Sequence, residues 1–189
     1  MFSGSLTLPF GGFGFSMTKV EGFTCSSCGE FHEGLARCLP MRSPTAYFMV
    51  PADQREKRCW LTDDFCVIDD RYFFIYGSLE LPIHGHAEPF IWGVWASLSE
   101  RDLDRAQELI GVQGRESEPP YLGWLSSDIP LYPPCLKLVV EVHTQPAGLR
   151  PLMILQSADH PLVREQQEGI SAARVQEIME WFLHGRFKE

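Results

Sequence analysis

Two cysteines separated by two residues, Cys25-Ser26-Ser27-Cys28, with Gly29 directly after them, form the sharpest chemical signal in this chain. A zinc ion takes four donors at tetrahedral corners, and two intervening residues let both thiolates converge on one ion. Glycine after the second cysteine accepts the left-handed backbone that aims N–H groups at the sulfurs. His32 follows close enough for its imidazole to reach the same ion. One such pair supplies half a shell. There is no second Cys-x-x-Cys, so other donors must come from distant positions: Cys38, Cys59, Cys66 or the later histidines. Four protein donors leave no open position for water, which favours a structural ion over a catalytic one. A thioredoxin-like redox pair competes with this reading but lacks a flanking βαβ pattern. Ordinary unligated thiols are the third reading.

Other chemistry-bearing residues carry weaker signals. His84-Gly85-His86 with Glu88 would present both imidazoles to one face if extended. Gly85, Pro82 and Pro89 point instead to a loop. Asp159-His160-Pro161 reads as a helix start, with Asp159 as cap and Pro161 in the first turn, more readily than as an acid-oriented imidazole. Cys38, Cys59 and Cys135 read as small buried hydrophobes. Trp92 and Trp95, three apart on a strand, must face opposite sides: one in the core, the other exposed or packed under a helix. The chain carries no Gly-x-Ser-x-Gly, phosphate loop, dinucleotide fingerprint or His-Glu-x-x-His. No catalytic set is recognisable, and the reading leans away from an enzyme.

The elements that must position these residues follow from periodicity. Ala46 to Val50 is a short strand candidate, and 51–58 reads as one or two helical turns. Phe65 to Ile68, a turn at Asp69-Asp70 and the aromatic, β-branched run 71–81 make a hairpin, which puts Cys66 on a strand rigid enough to hold it over the Cys25–Cys28 turn. Phe90 to Leu98 and Tyr121 to Leu125 are further strands. Leu136, Leu138, Val140 and Val142 alternate toward one side of a strand over 136–143, with a partner at 150–156. Ser99, with Asp102 three residues on, starts a helix closed by Gly111, and Leu98 and Leu103 can staple it. Ser171 caps a final helix whose stripe is Val175, Ile178, Met179 and Phe182, ended by Gly185. Strands occur in neighbouring groups rather than alternating with helices. The fold class is therefore α+β: a mainly antiparallel sheet with a few packed helices and an N-terminal zinc-knuckle-like turn.

Composition bounds the rest. The 189 residues include 16 Lys and Arg against 25 Asp and Glu, a formal net charge of −9, and 44% are hydrophobic. This is the composition of a folded domain rather than of a disordered chain. The acidic balance argues against nucleic acid and suits a basic protein partner. No run approaches the length of a membrane span. Residues 1–20 are Gly, Phe and Ser rich and read as a flexible tail, with Met17 an alternative start; residues 21–189 read as a single domain with its knuckle at 25–32. The first basic residue is Lys19, so no signal peptide is evident, and a cytoplasmic, reducing location is expected.

Several blocks together resemble a known family. They are Phe23-Thr24-Cys25 through Cys28-Gly29 with His32 and Gly34-Leu35; Cys66-Val67-Ile68-Asp69; Leu79-Glu80-Leu81-Pro82; Pro89-Phe90-Ile91-Trp92-Gly93-Val94-Trp95 with Ser97-Leu98-Ser99; Pro119-Pro120-Tyr121-Leu122-Gly123-Trp124-Leu125; and Asp159-His160-Pro161-Leu162 with Glu165-Gln166 and Gly169-Ile170. Over residues 21–184 the chain resembles the bacterial DUF2199 family, which brings no established activity. The resemblance implies that Cys25, Cys28 and Cys66 are the thiolate ligands, with His32 the fourth donor. Two functions follow as expectations. The first is a cytosolic protein-interaction module with a structural zinc knuckle. The alternative is a metal-dependent hydrolase, which needs an ion with an open position.

Overall fold

The computed structural model describes residues 22–33, 37–156 and 158–185. The tail read at 1–20, and Gly34 and Leu35, lie outside the described residues. The centre of the fold is a long hairpin. Strand β6 (Tyr72–Leu81) pairs antiparallel with β7 (Phe90–Leu98) over nine residue pairs, from Phe73 opposite Leu98 to Leu81 opposite Phe90. Their aromatic and β-branched residues fit a pleated surface buried on both faces.

Each hairpin strand branches on its outer edge. One half of β7 pairs in parallel with β3 (Cys38–Pro40), the other antiparallel with β8 (Tyr121–Leu125). Beyond β8 lie β9 (Val139–His143) and β10 (Leu152–Leu155). A parallel pairing of Leu152 with Ser78 returns β10 to β6. The ring β6-β7-β8-β9-β10 is therefore closed, and most of its pairings are antiparallel. The mainly antiparallel sheet expected from the sequence is present and is closed into a barrel, so each of the five ring strands has a neighbour on both sides. The other half of β6 carries β5 (Phe65–Ile68), and β5 carries β4 (Cys59–Leu61). Asp69 and Asp70, both at positive φ (55° and 49°), make the tight turn between β5 and β6.

Alternation along these strands divides the core in two. Ile75, Leu79, Leu81, Trp92, Val94 and Phe65 join the larger cluster with Val140, Val142 and Met153. Cys66, Ile68, Phe74, Tyr76 and Trp95 face the other way, into a smaller cluster with Val50. Trp92 and Trp95 do lie on opposite faces, but both are fully buried, so neither is exposed. The indole N–H of Trp95 donates to the Met41 carbonyl (2.9 Å).

Helices cover the larger cluster. They are α3 (Glu100–Glu108), α4 (Pro161–Glu168) and α5 (Ala172–His184), which contribute Leu103, Leu162, Val163, Val175, Ile178 and Met179. Ser99 caps α3 as expected: its Oγ accepts from the Asp102 N–H (3.1 Å) and donates to the Asp102 carboxylate (2.7 Å). Ser171 caps α5, its Oγ accepting from the Arg174 N–H (3.1 Å). At α4 the cap is His160 rather than Asp159, with Nδ1 accepting from the Leu162 N–H (3.2 Å).

Two expected strands change. Thr45–Met49 is a short helix, α1, followed by a 3-10 turn and α2 (Arg55–Arg58). Period does not separate strand from helix in so short an apolar run. Only Val50 keeps the extended backbone and the buried place expected of the run. The strand expected from Leu136 starts at Val139, because Lys137 takes a left-handed φ of 70° and the Leu138 N–H turns back to the Cys135 carbonyl.

Candidate metal centre

The Cys25–Cys28 turn joins two short strands, β1 (Gly22–Thr24) and β2 (Phe31–Glu33), paired antiparallel with Phe23 opposite His32. The turn closes on itself: the Cys25 N–H donates to the Glu30 carbonyl and the Gly29 N–H to the Cys25 carbonyl, both at 2.9 Å. Gly29 sits at φ 76°, the left-handed conformation that made glycine the expected residue there. The Ser27 N–H points at the Cys25 sulfur (3.3 Å).

Helix α5 runs alongside the turn. Its apolar stripe faces the barrel, and a second stripe, Gln176, Glu180 and His184 at four-residue spacing, meets the knuckle. Gln176 donates to the Thr24 carbonyl (3.3 Å). The Glu180 carboxylate accepts from the Ser26 N–H (2.7 Å), from the Ser26 hydroxyl and from Gln176. These donors hold Glu180 far below the usual carboxylate range, at about 2. His184, the last residue of the helix, closes the group, its ring 5.8 Å from that of His32.

One donor atom from each of Cys25, Cys28, His32 and His184 lies within 4.8 Å of the other three. Cys28 Sγ and His32 Nε2 are 3.4 Å apart. Around a tetrahedral zinc ion with its usual bond lengths, neighbouring donors are separated by about 3.3–3.8 Å. The group is thus close to ligand spacing before any ion is added, and Cys2His2 is a donor set that zinc takes. Among the described residues this is the cluster of three or more such donors that can hold a metal ion. Cys25 is buried and Cys28 exposed. Burial works to raise the Cys25 thiol, but the N–H groups of Cys28 and Ser27 and the Cys28 thiol outweigh it and leave it below its ordinary value. At Cys28 the Glu30 backbone contact works downward; burial and the neighbouring Cys25 prevail and raise it.

Three of the four expected residues, Cys25, Cys28 and His32, come together. Cys66 does not join them. It sits on β5 with its side chain in the smaller cluster, whereas Cys25 packs in the larger one. The rigid strand expected to bring Cys66 over the turn points it to the opposite face of the sheet. Burial and the neighbouring Cys59 push its thiol up to about 12, so in its pocket it is a neutral hydrophobe. His184 takes the fourth place. Reading α5 by its apolar stripe alone missed it; the polar stripe at 176, 180 and 184 was the available signal.

Two of the remaining candidates, His84 and Glu88, have ordinary partners. His84 Nε2 contacts the Glu168 carbonyl (2.9 Å), and Glu88 pairs with Arg37. Cys135 is buried and Cys59 half-buried, but Cys38 is exposed, because alternation on β3 turns Leu39 inward instead. Cavities of about 500, 510 and 560 Å³ are all lined by residues outside the Cys/His group. No helix among the described residues is long and apolar enough to cross a membrane.

No curated protein and no solved structure matches the chain. A family model described as "Uncharacterized protein conserved in bacteria (DUF2199)" matches residues 24–170, which takes in Cys25, Cys28 and His32 and stops short of His184. The chain therefore belongs to the DUF2199 family.

Proposed function

We propose that this chain is a protein-interaction module whose amino-terminal knuckle holds a structural zinc ion through Cys25, Cys28, His32 and His184. The observation that carries the reading is the mutual 4.8 Å spacing of the four donor atoms. Two thiolates and two imidazoles complete a tetrahedron and leave no position for a substrate or an activated water. The ion then ties the end of α5 to the β1–β2 turn, next to the Ser26–Glu180 contacts. The hydrolase alternative has less support. Glu180, on α5 beside the group, accepts three hydrogen bonds from Gln176 and Ser26 and is held at about 2, far below the near-neutral value that suits a general base. The net charge of −9 supports a basic partner for the surface at large, where complementary charge mainly raises the association rate.

Elemental analysis of protein purified without chelators tests the reading. About one equivalent of zinc is expected, and less than about half an equivalent would end it. Cobalt substitution then separates the two functions. A four-coordinate spectrum indifferent to added azide fits a closed shell. A spectrum that shifts with azide reveals an open position and favours the hydrolase.

A further inference from the structure

A groove of about 510 Å³ lies where α1, the start of β6, β8 and the loop before β9 meet. Its walls include Met49, Tyr72, Trp124 and Leu136, which are 76%, 50%, 54% and 37% exposed. Large apolar side chains held this open to water at one place mark an interaction site more often than a packing accident. The charged residues lining the groove are Arg71 and Lys137, with no carboxylate among the described lining residues. In a chain of net charge −9 this is a local reversal of sign. Both cations are set by unusual backbone. Arg71 follows the turn at Asp69 and Asp70, and its guanidinium stands 5.5 Å from the Tyr72 ring. Lys137 holds a left-handed φ of 70°, rare for a side chain of its size, and its N–H is tied to the Leu125 carbonyl (2.9 Å).

We propose that this groove docks an acidic segment of a partner protein, with an apolar side chain between Tyr72 and Trp124 and flanking carboxylates on Arg71 and Lys137. Charge selects the occupant: a basic segment would meet two like charges, an acidic one two opposite charges. Exposure selects its size. A small molecule is held where most of its surface is enclosed, and walls half open to solvent do not provide that. A polypeptide brings its own cover, and Trp, Tyr and Arg are the residues that anchor such contacts. Residues 1–20 of this chain do not fit the charge, since they contain Lys19 and no Asp or Glu. The inference names a partner chemistry for the binding-module reading and rests on that reading, but not on the metal site.

The test uses the full chain and two blocked, fluorescein-labelled peptides, Glu-Asp-Phe-Glu-Leu-Asp and Lys-Arg-Phe-Lys-Leu-Arg, followed by anisotropy. The acidic peptide should bind more tightly than the basic one, and added salt should weaken it. Trp124→Ala should weaken binding about thirtyfold and Lys137→Glu about tenfold. Leu122→Ala, on the same strand outside the groove, should change it by less than about twofold. Equal affinity for the two peptides, or no binding of either, would overturn the proposal. Acidic-peptide binding that survives both groove variants would leave the binding module standing and remove this groove from it. Displacement of the probe by an unlabelled peptide of residues 1–20, or self-association abolished by Trp124→Ala, would give the groove to another occupant and overturn the proposal as well.

Discussion

The ring of His184, on the last turn of α5, lies 5.8 Å from the ring of His32, on the second strand of the knuckle. Hydrogen bonds from Ser26 to Glu180 and from Gln176 to Thr24 already tie the two elements together one turn and more before His184. The β1–β2 hairpin is a separate two-stranded sheet, and such hairpins are marginal alone. The end of α5 is where a helix frays. An ion shared between the two histidines and the cysteine pair would restrain both at once.

Ligand variants should divide cleanly. Cys25→Ser, Cys28→Ser and His184→Ala are each expected to lose most of the bound zinc, whereas Cys66→Ser should keep it. Because ligand binding is coupled to local folding, removal by chelator should cost about 2 kcal/mol, or roughly 4–8 °C in the unfolding midpoint. Hydrogen exchange should rise across 22–33 and the end of α5 while β6 and β7 stay protected. Zinc lost from Cys66→Ser and retained in His184→Ala would reverse the assignment made here.

How much of this was legible in the residues depended on distance along the chain. The Cys25–Cys28–Gly29 turn and His32 were readable because a local loop dictates their geometry. The β6–β7 hairpin, the Ser99 and Ser171 caps and the opposed tryptophans were readable because period and capping are local as well. Ring closure was not, since it depends on a single parallel pairing of Leu152 with Ser78 that no local pattern encodes. Nor was the fourth donor. Cys66 was correctly placed on a strand, but which of two buried faces it points to is decided by register, and both faces of β5 are apolar.

Thiol reactivity follows from the same division. Burial pushes Cys66 to about 12 and Cys135 to about 11, so both stay protonated and shielded at neutral pH. Brief iodoacetamide treatment of the native chain should label Cys38 and, after chelation, Cys28, leaving Cys66 and Cys135 unmodified until denaturant is added. Mass spectrometry of the peptides reads this directly. Labelling of Cys28 at the same rate with and without chelator would mean that no metal protects it.

Acid stability should carry a signature of Glu118. The paired Arg105 guanidinium, with contacts at 2.9 Å, holds its carboxyl below the ordinary value of 4.5 despite some desolvation. A folded-state value below the unfolded one gives stability that is complete above 4.5 and disappears as pH falls through the lower folded value. Urea midpoints measured from pH 6 downward should fall more gently in Glu118→Gln than in the parent chain, with the difference confined to pH below about 4.5. Parallel curves would show that the pair is not maintained in solution.

The closure of the barrel can be tested at Gly123. A Cβ built there would stand 2.2 Å from the Ser97 carbonyl oxygen on β7, and Gly123 itself lies opposite Val140 on β9. The obstructing atom is backbone in the adjacent strand, so relief requires β8 to move away from β7, where the pairing is only Ala96 with Leu125 and Ser97 with Trp124. Gly123→Ala should therefore destabilise by about 1–3 kcal/mol through overpacking, although alanine favours a strand more than glycine does. Leu122→Ala, one residue away and exposed, should stay within about 0.5 kcal/mol of the parent. Denaturant unfolding at constant metal content measures both. A neutral Gly123→Ala would mean that β7 and β8 are not held at this separation and that the ring is open at that seam.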